Sequence, residues 1–547
     1  MNVEAEAQSE PGGVHAQNVI VIHPGSMYIK IGRASDLNPH TELHAIGRRR
    51  SPGGQIRFDT LLPTVPLNVD YIDIESDLDY SRLQISHTLQ SFVMSTGQKR
   101  YATPPQQIAQ FNRRSIPETL NAAGPQLRSP TADSLVGNDV LQLQPRFNYN
   151  VHFPWKRGDL NVHGNVGGSL TGVMADLQAI WSALIVEKLN IPVQEWKNFR
   201  AVLIIPVIYN RTYVREFVTL LLDMGFASCF LLQDHVAAAF GAGLGSACVI
   251  DCGHSKTSVS CVEDGLSNPA TRVTLPYGGG DITQCFLWLL NRGGFPYKDC
   301  DSNNAYDAIL IDKLKQDACH VDLDVCGSRE KSFVVRQPLK PVLKYTIQIG
   351  DECMIAPLGL FYPELFCLTV TRTVLTQKRD TGDPSDPHDA DYLRETGRKV
   401  TREQELVADS IGDEDIVDIE VTGGDNDFSF GQALSVDQAV IQSVQQCGND
   451  DTKRKMFSTV LVVGGGMKFK GISSWLKNKL AFQVPPHLKP DQIDIITAPK
   501  DMDPVMATWK GAAIFACLES AQELWITQED IRKHGVKILR ERSAFIW

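Results

Sequence analysis

Only twelve of the 547 residues are cysteine, and no two of them form a C-x-x-C pair. This excludes a disulfide-built scaffold, and Cys319 beside His320 has no second pair at zinc-ligand spacing. Thiols such as Cys229, Cys248 and Cys517 sit in apolar runs and are expected to be reduced core residues. Long apolar stretches are also missing, since no run approaches the roughly 20 residues that span a bilayer. The opening MNVEAEAQSEPGG is acidic and polar, without the apolar stretch of a secretory signal. The expectation is a soluble intracellular protein. Basic charge is in deficit: 53 Lys and Arg stand against 64 Asp and Glu, a net −11. No general field would then hold nucleic acid, so any such contact must come from local basic patches.

What is present is ordinary globular material, 43% hydrophobic and 21% charged. The length allows roughly three or four compact units. Residues 1–17 lack hydrophobic periodicity and read as a disordered tail. VIVI (19–22) and YIKIG (28–32) read as two strands around the turn HPGS. Residues 35–150 are irregular and yield no topology. From 151 the pattern sharpens into helix 171–191, strand 201–206, helix 210–226, strand 229–233, helix 235–243 and strand 247–253. This alternation predicts an α/β fold with a mixed or parallel sheet. Residues 256–265 turn back as a hairpin, 281–294 and 303–321 read as helices, and 334–357 is strand-rich. An acidic segment over 376–428 reads as an insertion. Beyond it come helix 436–447, a strand, glycine turn and helix over 458–482, strand 493–499 and helix 503–519.

Two distant hairpins resemble each other, VIVIHPGSMYIKIG (19–32) and CVIDCGHSKTSVS (248–260). In each, an apolar strand ends in a polar residue, a short glycine-containing turn follows, and the next strand carries an early lysine. Backbone N–H groups of such turns can bind phosphate oxygens, and small residues let a phosphate approach. Two of them facing each other would clamp a polyphosphate. VLVVGGGMKFKG (460–471) adds a strand running through three glycines into a helix, and Tyr277-Gly278-Gly279-Gly280-Asp281 adds a further turn. Each alone serves equally well as an ordinary turn; the ordered set predicts a shared site.

With these motifs the chain resembles the actin family, within the superfamily of actins, sugar kinases and Hsp70 proteins. More narrowly it is similar to the actin-related subunits of the Ino-eighty chromatin remodelling complex. Supporting runs include VIHPGSMYIKIGRASD (21–36), VHGNVGGSLTGVMADLQAIWS (162–182), DPSDPHDADYL (383–393), PKDMDPVMATWKGAAIFACLESAQELWI (499–526) and GVKILRERSAFIW (535–547). The resemblance implies an actin-like ATPase fold: two lobes, each built on an RNase-H-like mixed sheet with flanking helices, plus insertions. The first lobe would span 18–245, including the irregular insertion 35–150. The second would span 246–547, including the acidic insertion, with residues 520–547 returning to the first. ATP or ADP would lie between the lobes. Gly25, Ser26, Met27 and Lys30 would form the first phosphate loop, and Asp251, Cys252, Gly253 and His254 the second. Gly279 and Asp281 would lie near the ribose, Lys315 and Gln316 near the adenosine, and Gly464, Gly465, Gly466 and Lys468 along the base and sugar.

Departures from the family pattern bear on mechanism. In actin the first strand ends in an aspartate that holds metal-bound water; here that place is His23. The glycine after the loop serine is Met27, and the second loop has His254 and Ser255 where actin has aspartate and glycine. The glutamine that orients the attacking water aligns with Asp234, with Gln233 one position earlier. Of the metal-linked carboxylates, Asp251 remains, which leaves magnesium open and assigns no metal ligand and no catalytic residue. The resemblance therefore implies a structurally bound ATP, hydrolysed very slowly or not at all. It also implies a nuclear protein acting in transcription regulation and DNA repair. Its partners would be the long helix preceding the motor's ATPase, nuclear actin, actin-related protein 4, nucleosomal and linker DNA, and histones H3 and H4.

Basic clusters at Arg48-Arg49-Arg50, Lys99-Arg100, Arg113-Arg114 and Lys156-Arg157 are candidates for DNA contact, the first two foremost. The acidic segment 380–427 is a candidate for histone tails. An active ATPase or kinase of the superfamily is the alternative reading, and a filament-forming actin a third.

Overall fold

Apolar alternation along the strands decides which side of each sheet meets which layer. The computed structural model describes residues 15–65, 71–125, 132–143, 147–370, 375–376, 434–535 and 537–545. In the strand Val19–His23, Ile20 and Ile22 enter one core, whereas Val19 and Val21 enter another. Ser246–Cys252 repeats this: Cys248, Ile250 and Cys252 point one way, Ala247 and Val249 the other.

The two main sheets follow one plan. The first runs in the order Ser228–Gln233, Arg200–Ile205, Val19–His23, Tyr28–Arg33, His40–Leu43. The second runs Asp494–Ile496, Thr459–Val463, Ser246–Cys252, Thr257–Glu263, Val273–Leu275, with Leu375–Thr376 at its edge. In both, the first three strands are parallel and the next two antiparallel. This duplication in mixed sheets with flanking helices is the actin-like architecture. It puts the two hairpin turns at equivalent places, each just past the end of a central strand.

Between the sheets lies a shared apolar layer built on two helices, Asp234–Ala242 and Pro504–Ala516. They cross with backbones in contact at two glycines. A side-chain carbon on Gly241 would strike the Ala507 carbonyl, and one on Gly511 the Ala237 carbonyl. The helix Pro504–Ala516 is thus core, with Trp509 fully buried and donating to the Val21 carbonyl at 3.1 Å. The last residues pack beside the first sheet: Ile526 bridges Cys229, and Ile538, Leu539 and Phe545 join Ile180 and Trp181. The helix Leu170–Lys188 has the length and mean hydropathy, 1.3, of a membrane span, although Asp176 interrupts its apolar run. Eight of its residues, Asp176 among them, are buried in this fold.

Three readings are corrected. The stretch 35–150 holds two helices, Tyr71–Ser91 and Pro105–Arg114, and it does not stay with the first sheet. Ile46–Arg49 pairs with Ser134–Val136 and Tyr149–His152, whereas Leu78, Ile85 and Leu89 enter the second sheet's core. Glu118–Leu120 likewise pairs with Val342–Ile349. The strand-rich 334–357 ends in a helix, Glu352–Leu358. Cys517 is exposed, unlike Cys229 and Cys248. The acidic insertion and nearly all of the N-terminal tail lie outside the described residues.

Candidate functional site

The turns singled out in the sequence converge on one cleft of about 580 Å³. The first hairpin contributes His23, Gly25, Ser26, Met27 and Lys30; the second contributes Asp251, Gly253, His254 and Lys256. Gly279, Gly464, Gly465, Gly466 and Lys468 also line it, as do Lys315 and Gln316 from the helix Ala305–Ala318.

Backbone hydrogen bonds stitch three of the turns together. Gly466 N–H donates to the Cys252 carbonyl at 2.8 Å, Gly279 N–H to Gly253 at 2.9 Å, and Gly280 N–H to His254 at 2.7 Å. Gly464 has φ +84°, which disfavours a side chain, and a carbon on Gly466 would lie 2.5 Å from Cys252 Sγ. The glycine triplet thus serves close packing against the second hairpin as well as the cleft wall.

The first loop is held from behind. His44 donates its Nδ1–H to the Gly25 carbonyl at 2.9 Å, and its backbone N–H bonds the Met27 carbonyl at 2.8 Å. Burial pushes its pKa down to about 4, although the bond to Gly25 favours the charged ring. Its Nε2 is buried without a partner among the described residues, so a proton there would find no acceptor among them. A depressed histidine pKa stabilises the fold fully above the unfolded value of about 6.5, and this contribution is lost as pH falls towards 4. In a His44→Gln variant the stability deficit against wild type should be largest near pH 7. It should shrink by up to about 3 kcal/mol on acidification from 6.5 to 4, measured by urea unfolding across pH.

Charges in the cleft are closely balanced. Lys30 faces His23 across the hairpin register and has no hydrogen-bond partner among the described residues; burial lowers its pKa, and Asp251 and Asp503 oppose that. Burial and neighbouring Asp234 raise Asp251 to about 6, against the pull of Lys256 and Lys30. Lys256 Nζ lies 3.2 Å from Asp234. Burial, then Lys30 and Lys256, hold the His23 ring well below its usual pKa, and its buried Nδ1 has no partner. Lys315 is already committed to the Gly279 carbonyl at 2.9 Å, Thr283 Oγ1 at 2.8 Å and Asp312 at 2.6 Å. Gln316 also bonds Asp312, and Lys468 pairs with Asp503 at 2.7 Å on the rim. Among these cations Lys30 is therefore the one with no bond among the described residues, whereas the N–H groups of Gly253, Gly279, Gly280, Gly464 and Gly466 are already spent on backbone carbonyls.

Two assigned residues do not line the cleft. Cys252 points into the second sheet's core and accepts from Thr257 Oγ1 at 3.2 Å. Asp281 is buried as the cap of the helix Gly279–Arg292, accepting from Gly278 N–H at 2.9 Å and Thr369 Oγ1 at 2.7 Å. At the end of the strand Ser228–Gln233, Gln233 turns away to donate to the Val207 carbonyl, while Asp234 lines the cleft. Asp251 therefore has a second carboxylate beside it. Sequence reasoning missed Tyr28, Trp155, Gly158, Asp312, Phe469, Val505 and Thr508 in the wall, and it gave the early lysine of the second hairpin, Lys256, no place in the site.

This donor set suits magnesium poorly. The strand-end position holds a neutral imidazole, Asp234 is occupied by an ammonium, and magnesium prefers carboxylates, phosphates and water. Among the described residues no three His, Cys, Asp or Glu side chains are grouped to hold a metal.

The candidate DNA residues separate. Arg100 is buried and paired with Asp351 at 2.5 Å, so it is withdrawn as a surface contact. Lys99 is exposed. Arg48 pairs with Asp176 at 2.5 Å and Arg49 with Asp133 at 3.5 Å, both half-exposed, and Arg50 bonds Asn150 at 3.2 Å.

Comparison with known proteins agrees with the geometry. The sequence profile of the actin family matches residues 14–308 and 310–544. A protein named Actin-related protein 8 from Aedes aegypti is 50% identical over 98% of this chain and 99% of its own length. The Homo sapiens protein of that name is 38% identical over 98% of this chain and 93% of its own. Among solved structures, human actin-related protein Arp8 in its ATP-bound state superposes with a TM-score of 0.86 at 36% identity, covering all of both chains.

Proposed function

The chain belongs to the actin family, and from that premise we propose that it is an ATP-binding, essentially non-hydrolysing subunit of a chromatin remodelling complex. The observation that carries the nucleotide part is the stitched set of turns facing Lys30 across one cleft. The similar human protein solved with ATP supports the same ligand. Phosphoryl transfer rests on positioned water and metal-neutralised charge. His23 and the Asp234–Lys256 pair stand at the positions that would supply these groups, and Gln233 faces away. Turnover is therefore absent or very slow.

The assembly role is read from the family resemblance. The subunit links the long helix preceding the motor's ATPase, alongside nuclear actin and actin-related protein 4, to nucleosomal and linker DNA and to histones H3 and H4, in the nucleus. Arg48, Arg49, Arg50 and Lys99 remain the foremost basic residues for DNA, with the exposed Arg113, Arg114 and Lys156 as further candidates, since phosphates need accessible cations. Affinity purification from nuclear extract with mass spectrometry tests this reading. Co-recovery of a remodelling motor with actin is the expected outcome, whereas metabolic enzymes or chaperones alone would reject it.

A further inference from the structure

We propose that the Lys256 ammonium takes the place of the divalent cation in this cleft, so that the nucleotide is held without metal; this rests on the ATP reading above. Lys256 is the one lysine of the second hairpin in the cleft wall, and its side chain is only 13% exposed. Its Nζ lies 3.2 Å from Asp234 Oδ2, and its charge acts on both neighbouring groups at the strand ends. It favours the ionised form of Asp251 and disfavours a protonated His23. These are the groups among which a phosphate-bound cation would have to sit.

The ammonium is also fixed in place. Its stem runs beneath Gly158, where an added side-chain carbon would collide with Lys256 Cδ. Gly158 belongs to the turn between Trp155–Lys156 and Asp159–Leu160. Arg157 fastens that turn to the second half of the protein. Its backbone N–H bonds Ser255 Oγ at 3.0 Å, and its guanidinium reaches the Pro276 carbonyl and, at 3.0 Å, the Thr369 carbonyl. A lysine held on both sides behaves as a built-in cation rather than a mobile surface arm.

Charge arithmetic favours this arrangement. Lys30 and Lys256 bring two positive charges that match the carboxylates Asp234 and Asp251, so an ammonium already stands beside the groups that would otherwise hold a metal. A metal entering beside them would meet like charge, at roughly 1–4 kcal/mol for a unit pair at about 4 Å in water to near-surface dielectric. The neutral His23 ring can offer an N–H to a phosphate oxygen where a carboxylate would repel it.

The test is a titration of the purified full-length chain with ATP, once in magnesium and once in EDTA, read by calorimetry. The expected result is affinity equal within about threefold in the two buffers, a difference under 0.7 kcal/mol. Lys256→Met should weaken binding in EDTA at least about tenfold and make it magnesium-dependent, because Asp234 and Asp251 are then free to hold metal-bound water. Lys256→Arg, which keeps the charge, should retain metal-free binding and serves as the folding control. A wild-type affinity that drops tenfold or more in EDTA overturns the proposal while leaving the ATP reading intact, and so does Lys256→Met binding like wild type. No ATP binding in either buffer overturns both.

Discussion

Replacing Lys30 with methionine should weaken ATP binding by about 30- to 100-fold, or 2–3 kcal/mol, as expected for loss of one charge-assisted hydrogen bond to phosphate. The strand Tyr28–Arg33 fixes the stem, and the register opposite His23 aims the ammonium into the cleft. Lys315 and Lys468 do not substitute, because all three Lys315 donors are taken by Gly279, Thr283 and Asp312, and Lys468 is held by Asp503 on the rim. The substitution should also separate ligand affinity from stability. A buried ammonium without a hydrogen-bond partner carries a desolvation cost, so the ligand-free variant should melt at or above the wild-type temperature. The stabilisation that ATP gives the wild type should vanish. Calorimetry and thermal melting with and without ATP read both; a variant within threefold of wild type would show that the first loop does not bind phosphate.

Gly511→Ala should destabilise the protein by about 3 kcal/mol or more, although alanine in place of glycine normally stabilises a helix by about 1 kcal/mol. The sign follows from what the new carbon would meet. It would strike the Ala237 carbonyl and come within 2.6 Å of Gly241 N, backbone atoms that yield only if the two helices part. Those helices form the layer between the sheets, with Val21, Val249, Leu461 and Trp509 packed around them. Parting them would open that core and shift the strands that carry both phosphate loops. Ile514→Ala on the exposed side of the same helix, where Ile514 is 49% exposed, is the control and should change little. Urea midpoints for the two variants decide the matter, and equal midpoints for Gly511→Ala and wild type would contradict the packing argument.

Local pattern made the sheets legible. Apolar strands ending in glycine turns are short-range features, and after residue 151 the assignments agree with the structure to within a few residues except at the helices Glu352–Leu358 and Asp450–Ser458. Strand alternation could also have withdrawn Cys252: it shares the face of Cys248 and Ile250, while Asp251 points to the cleft. Asp281, third in its helix, accepts from the Gly278 N–H, the first-turn place that favours an acidic residue. Other features depend on distant partners. Lys99-Arg100 looks like a surface patch until Asp351, 251 residues away, is brought to it. The crossing of residues 71–120 to the second half has no local signal, because its helix buries Leu78, Ile85 and Leu89 against residues that follow position 245. Lys256 is legible in the sequence only as the early lysine of its hairpin, because its role comes from Gly158 and Asp234, on two other elements.

The most direct test of the account is the fate of ATP held by the purified protein. The chain is mixed with slightly substoichiometric ATP and separated from free nucleotide. The bound fraction is then extracted after minutes and after hours and resolved by chromatography. The account predicts intact triphosphate at every time, bound near one per chain and absent from Lys30→Met. Recovery of ADP accumulating at a rate near the ~1 s⁻¹ of working phosphoryl-transfer enzymes would contradict it.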